Sequence, residues 1–274
     1  MNLFSVDREK CKRDGLCVES CPIRIIEFHR PDGFPELVEG AEQLCINCGH
    51  CVAVCPQAAL SLRTMKPEDC DPVRSDLLPS TEQLEHFLRH RRSIRAYKKE
   101  TVGREALLKV IHMARWAPSG HNDQPVRWLI IETPDEVRKL ASLVIDWMRE
   151  KIDSGAEVAN TLRFDRVIQS WENGTDRVLR SAPHMIIAHA DRSLRTANPA
   201  CAIALTYAEL AALALGLGAC WAGYFNYCAN DYRPMQEALS LPAGHTTFGA
   251  LMVGYPKYRH QRIPLRNEPR IAWR

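Results

Sequence analysis

The chain has 274 residues, 46% of them apolar and 25% charged, an ordinary globular composition with material for two domains. A net charge of +3 is too small to direct the protein to nucleic acid. The richest apolar run, 200–217, is interrupted by Thr206 and Glu209, so a buried helix is expected there rather than a membrane span.

In chain order, the first seven residues lack the basic-then-apolar pattern of a signal segment, and a cytoplasmic location is expected. A first domain is predicted over 1–63, with short strands at 3–6, 25–28 and 60–62 around cysteine-rich loops. Its apolar content is too small to hold such a domain without a staple. Residues 64–79, with Pro67, Pro72 and Pro79 among Asp and Ser, read as a linker. The remainder, 80–274, is predicted as one α+β domain with a mixed sheet flanked by helices.

Ser80 and Gln83 have capping-box spacing, which starts a helix. A second helix is predicted over 103–116, with Leu107, Leu108, Ile111 and Ala114 on one face. A strand at 126–131 and a Pro-started helix over 134–150 follow. Residues 157–179 read as mostly helical with a break at Asn173–Gly174, and 184–188 as a strand. Asn198 and Pro199 are expected to cap the long apolar helix. A last strand at 246–253 leads into a basic tail.

Of the eleven cysteines, Cys11, Cys17, Cys21, Cys45, Cys48, Cys51 and Cys55 all precede residue 60. Disulfides are disfavoured in a reducing compartment, so this clustering points to metal or redox chemistry. The run Cys45, Cys48, Cys51, Cys55, Pro56 has cysteines separated by two, two and three residues and ends in proline. Such spacing wraps three thiolates around an inorganic cubane and sends the fourth to a second cluster. An earlier run, Cys11, Asp14, Cys17, Cys21, Pro22, repeats the spacing with Asp14 in the second ligand position. Cluster one would take Cys11, Cys17 and Cys55, with Asp14 or an external ligand on its fourth iron. Cluster two would take Cys45, Cys48, Cys51 and Cys21. A carboxylate is a harder ligand than a thiolate, which makes that iron labile and a three-iron (3Fe-4S) form of cluster one an alternative to a 4Fe-4S cubane. Tetrahedral zinc is the rival occupant; two proline-terminated runs of matching spacing argue against it. The segment resembles a bacterial-type dicluster ferredoxin over about sixty residues. Cys70, Cys201, Cys220 and Cys228 have no ligand spacing and read as buried small hydrophobes.

Four segments after residue 80 combine into a second pattern. The first is Arg91-Arg92-Ser93-Ile94-Arg95, alone a solvated basic face, in combination a clamp for an oxyanion. The second, 117–125, contains Pro118, Ser119 and Asn122 and alone is a helix-to-strand turn. The third, Gly216 to Gly223 with Cys220, Trp221 and Ala222, lets backbone approach a flat ligand, or merely ends a helix. The fourth is the Pro-bounded tail with Lys257, Arg259, His260 and Arg262.

Their order and spacing resemble the nitroreductase family of FMN-dependent oxidoreductases over residues 80–274. The resemblance implies a homodimer with one FMN per subunit at the interface. It implies that Arg91, Ser93 and Arg95 hold the phosphate, ribityl chain and pyrimidine edge, with Arg92 alongside. Asn122 would face the flavin ring, and Pro118 and Ser119 would reach the partner subunit's flavin. The Ala222–Gly223 backbone, beside Cys220 and Trp221, would offer an N–H to flavin N5, and Arg259 or Arg262 would reach the phosphate. The region from Trp147 to Leu179 matches no subgroup, leaving the substrate undefined.

The expected function is electron transfer through two iron–sulfur clusters to FMN and on to a small acceptor: a nitroaromatic, a quinone or an activated alkene. The donor is left open between NAD(P)H and an external ferredoxin-type carrier, since no GxGxxG follows a strand. Asp14 motivates a different class, a redox or iron sensor acting through a protein partner; a pure electron carrier is a third. Basic residues at 89–99 lack an aromatic stacking platform, so no nucleic-acid partner is expected.

Overall fold

The structure, a computed structural model, describes residues 2–30 and 33–274. It divides into two compact units, one of residues 1–78 with 120–123, the other of 79–119 with 124–274.

In the first unit, β1 (Phe4–Val6) begins a chain of short elements: α1 (Leu16–Glu19), β2 (Ile26–Glu27), β3 (Glu36–Leu37), α2 (Ala41–Leu44), α3 (His50–Ala53) and β4 (Leu60–Leu62). The outer strands pair antiparallel, Phe4 opposite Leu62, and β2 pairs with β3, Ile26 opposite Leu37. Leu3, Ile25, Ile26, Val52 and Leu60 form a small core that includes Cys17 and Cys51. The repeat in the sequence is also a repeat of backbone. The single-turn helices α1 and α3 each open after a glycine, Gly15 and Gly49. Arg13 and Asn47 hold left-handed φ of 58° and 50° at matching places, as do Arg24 and Ala58 at 57° and 50°. The turn closing each run is also shared, with Arg24 N–H on Cys21 O and Ala58 N–H on Cys55 O, both 3.1 Å. Non-glycine residues in this region are uncommon, and their recurrence in both runs shows that one loop shape is built twice.

The second unit contains α4 (Thr81–His90), α5 (Arg104–Ala114), β5 (Arg127–Ile131), α6 (Pro134–Asp153), α7 (Glu157–Thr161), α8 (Phe164–Glu172), β6 (His184–Asp191), α9 (Ala197–Ala214), β7 (Gly218–Trp221), α10 (Gly223–Asp231), α11 (Arg233–Leu239) and β8 (His245–Gly254). The sheet order is β5-β6-β8-β7, and these strands pair antiparallel; a parallel bridge joins Ser93 to Ala219 beside β7. Strand β6 is buried on both faces, yet its alternation is intact. Met185 and Ile187 pack into a core with α6, α8, α10 and α11, whereas Ile186, Ala188 and Ala190 pack into another with α5 and α9. Strand β8 does the same with Ala250 and Met252 against Leu251 and Val253. The sheet is therefore the middle of three layers.

Local chemistry sets the helix ends. Ser80 Oγ accepts from Gln83 N–H at 3.2 Å, and Gln83 Oε1 accepts from Ser80 N–H at 2.9 Å, the expected capping box. Helix α9 departs from its predicted start: Thr196, not Asn198, is the N-cap, and it makes no side-chain cap bond. Asn198 and Pro199 lie within the first turn, where proline's fixed φ fits and its missing N–H costs nothing. The helix has the length and apolarity of a membrane span. One face, with Ala204, Leu205 and Ala208, is buried in the core shared with β6 and β8, which makes it a core helix. Its C-terminus is closed by Gly216 at φ 72°, with Leu217 N–H on Ala212 O at 2.8 Å and Gly216 N–H on Leu213 O at 3.0 Å. This is the paired bonding of a glycine-terminated helix.

Helix α8 ends at Glu172, at the expected Asn173–Gly174 break, and residues 175–179, at the end of the stretch expected to be mostly helical, are not helical. Asp176 explains this, because its carboxylate accepts from the N–H groups of Val178, Leu179 and Ser181. It replaces the helical acceptors those groups would otherwise need.

Candidate cofactor sites

In the first unit the thiols gather in two sets. Burial, with a contribution from neighbouring Cys11 and Cys55, pushes the Cys17 thiol up to about 11. Burial likewise pushes Cys51 up to about 11, with Cys48 and Cys21 adding to the rise. Cys55 of the second run is thus a charge neighbour of Cys17, and Cys21 of the first run a charge neighbour of Cys51. Ala59 N–H points at Cys55 Sγ at 3.3 Å, the kind of donor that stabilises a ligating sulfur. Among the described residues, no three Cys, His, Asp or Glu side chains could hold a single metal ion.

Asp14 occupies in the first run the place of Cys48 in the second. Its side chain is exposed, and Oδ1 accepts from Leu16 N–H at 3.2 Å. The carboxylate is thus held at the start of α1, beside the Cys17 turn. The loop of the second run is tied down more fully. Thr64 Oγ1 bonds Asn47 Oδ1 at 2.5 Å, and Asn122 Nδ2 donates to Ile46 O at 3.2 Å and Asn47 O at 3.0 Å.

The second unit builds a cavity of about 390 Å³. The segment after α4 runs along β7, with Ile94 N–H on Ala219 O at 2.9 Å. It then meets the tail: Lys98 N–H donates to Tyr255 O and Lys257 N–H to Ala96 O, both 2.9 Å. Tyr97 pins the crossing, its hydroxyl donating to Ile94 O at 2.7 Å and lying 3.3 Å from Met252 O. Burial holds that phenol far above its ordinary range, so it stays a neutral donor. Gly218 permits the close approach, since a Cβ there would lie 2.7–2.8 Å from three atoms of Ile94.

These contacts bring Arg91, Arg92 and Arg259 to one cavity, joined by Lys98, His90 and His260, which sequence reasoning had not placed in it. Ser93 and Arg95 lie beside it, Arg95 Nη1 donating to Ser93 O at 3.4 Å. Arg262 lies further along the exposed tail and does not line the cavity. Burial raises the Cys220 thiol, partly offset by Arg95 and by a hydrogen bond with Ser93. Trp221 is 41% exposed. Ala222 N–H is committed to Ala250 O at 2.9 Å, so it cannot be the donor to a ligand. Gly223 N–H lies in the first turn of α10, where helix geometry supplies no intrahelical acceptor. Pro118 and Ser119 line a different, smaller cavity of about 120 Å³ with Arg115 and Trp128. Asn122 belongs to the first unit. One residue absent from the prediction stands out. Glu209, 7% exposed, ion-pairs with Arg91 Nη1 at 2.8 Å. Its only sequence signal was a lone carboxylate in an apolar helix, read there as an interruption.

The cationic cavity offers Arg and Lys donors for an oxyanion and a shelf of small residues for a flat ring, which fits a flavin phosphate and its ring.

Comparison with known proteins places both units. Residues 88–255 match the model of the nitroreductase family, and residues 9–59 match that of the 4Fe-4S dicluster domain. An iodotyrosine deiodinase of Thermotoga neapolitana is 26% identical over 191 residues, 68% of this chain and 95% of the relative. A nitroreductase with bound FMN from Desulfitobacterium hafniense superposes with a TM-score of 0.57 at 23% identity, covering 71% of this chain and 99% of that one. Another from Bacteroides fragilis gives 0.55 at 21% identity, covering 70% and 96%. With its nitroreductase match spanning more than half its length, this chain belongs to the nitroreductase family of oxidoreductases and carries a 4Fe-4S dicluster domain ahead of the nitroreductase domain.

Proposed function

We propose that the protein is an iron–sulfur flavoprotein that carries electrons through two clusters to FMN and on to a small nitroaromatic, quinone or activated-alkene acceptor. One observation carries this reading: a single chain joins a 4Fe-4S dicluster domain to a nitroreductase domain that holds a cationic cavity. FMN when bound supplies one- and two-electron chemistry, and iron–sulfur clusters supply single-electron transfer.

The chain's own residues set the conditions. Cys11, Cys17 and Cys55 with Asp14 would hold cluster one; Cys21, Cys45, Cys48 and Cys51 would hold cluster two. Arg91, Arg92 and Arg259 would bind the FMN phosphate with forked, permanently charged donors. Arg95 would put positive charge at the pyrimidine edge, favouring an anionic reduced ring. Gly223 N–H would meet the ring at N5.

The working form we propose is a homodimer. Pro118 and Ser119 line a cavity apart from that of Arg91, consistent with their serving the partner's flavin. Leu108, Met113 and Trp116 around α5, with Ile203 and Tyr207 on α9, are all at least 37% exposed, an apolar surface that a second copy would cover.

Asp14 supports a second reading, in which an iron held by a carboxylate is lost on oxidation and the change is reported to a partner. An anaerobic assay with reduced viologen and a nitroaromatic separates the two. Steady turnover supports the enzyme reading. A protein fully loaded with flavin and iron that turns over nothing would overturn it.

A further inference from the structure

Glu209 is the one acidic side chain among the described residues that is buried, and it lies on a helix otherwise rich in alanine and leucine. The cavity it lines is cationic, with Arg91, Arg92, Lys98 and Arg259. Stability alone does not call for this arrangement, because an apolar residue commonly serves a buried position as well as an ion pair. The pair therefore has its reason at the cavity. Glu209 Oε1 takes one arm of the Arg91 guanidinium at 2.8 Å, and the two side chains are 8% and 24% exposed. A guanidinium has five donors in a rigid plane, so fixing one arm fixes the direction of the rest.

We propose that Glu209 is the positioning residue of the FMN phosphate subsite: it holds Arg91 in place before the ligand arrives and makes the site selective for the phosphorylated flavin. This rests on the reading of the cavity as the phosphate end of the flavin site. Two effects oppose each other. The carboxylate stands behind Arg91 and weakens its attraction for an anion. Without it, four cations share one cavity, Arg91 is driven toward solvent, and the phosphate must immobilise a loose side chain. The second effect dominates, because side-chain ordering is charged directly against binding.

The test compares FMN with riboflavin, which lacks the phosphate, by fluorescence titration of the flavin-depleted full-length chain with its clusters intact. The wild type should bind FMN more tightly than riboflavin; equal affinities would refute the phosphate-subsite reading itself. Given that preference, Glu209→Ala should weaken FMN about tenfold, the scale of one ordered charged side chain, while leaving riboflavin unchanged. Arg91→Ala should show the same selective loss, and the double variant should lose no more than Arg91→Ala alone. Glu209→Gln, which keeps an acceptor without the charge, should recover part of the affinity. FMN affinity unchanged or tighter in Glu209→Ala would overturn the inference. So would an equal fall for both flavins, or additive losses in the double variant.

Discussion

The amide of Ile94 donates to the carbonyl of Ala219 at 2.9 Å, fastening the arginine segment to β7. This bond is one of the attachments that hold Arg91 and Arg92 at the cavity, because the chain between α4 and α5 has no helix or strand of its own.

Gly218 tests the attachment. A methyl group there meets Ile94 Cβ, Cγ1 and Cγ2 at 2.7–2.8 Å, and a β-branched side chain has little freedom to yield. Gly218→Ala should cost about 1–3 kcal/mol of stability, the usual penalty of overpacking, and lower the FMN content of purified protein. Chemical denaturation and flavin absorbance read the two effects. A variant with unchanged stability and full FMN would show that the close approach is not needed.

Asp14→Cys completes the first run in the image of the second. The thiolate should retain the fourth iron during mild aerobic oxidation, whereas the wild type should fall from about eight irons per chain to about seven, as a 4Fe-4S to 3Fe-4S conversion requires. Iron analysis with low-temperature EPR follows this. Identical iron loss in both proteins would remove Asp14 from the ligand set.

His189 and His245 face each other across β6 and β8, Nδ1 to Nδ1 at 2.9 Å. Burial, His245 and Arg127 together lower the His189 pKa below its ordinary 6.5. The unfolded chain therefore binds a proton that the folded chain refuses, and stability falls as pH drops below about 6.5. Melting temperature should decline from pH 7 to pH 5, and His189→Gln should flatten the decline. Parallel pH profiles for the two proteins would contradict this.

Much of this molecule was legible in its residues because the signals were local. Ser80 and Gln83 announced a capping box that formed, and the two cysteine runs announced a repeat that the backbone carries out down to Arg13 and Asn47. What escaped was set by tertiary context. Strand β7 and helix α10 read only as a glycine-rich stretch, since Gly218 is needed for its approach to Ile94, a residue far away in sequence. The break at Asn173–Gly174 was legible, with Gly174 at φ 80°; what escaped was that Asp176 then takes the amides of Val178, Leu179 and Ser181. Glu209 looked like a flaw in an apolar helix and is instead the counter-ion of Arg91. Ala222 was expected to share the N5 contact, but its N–H is consumed by Ala250 on β8, a pairing invisible along the chain.

The most direct measurement is the cofactor content of protein purified without air, with iron, acid-labile sulfide, zinc and FMN quantified together. Two intact cubanes predict about eight irons and eight sulfides with one FMN per chain, or about seven irons if cluster one is three-iron. Cys51→Ser should lose about half the iron, and Cys70→Ser, an exposed cysteine outside both sets, should lose none. Zinc in place of iron, or a protein with neither sulfide nor flavin, would contradict the account.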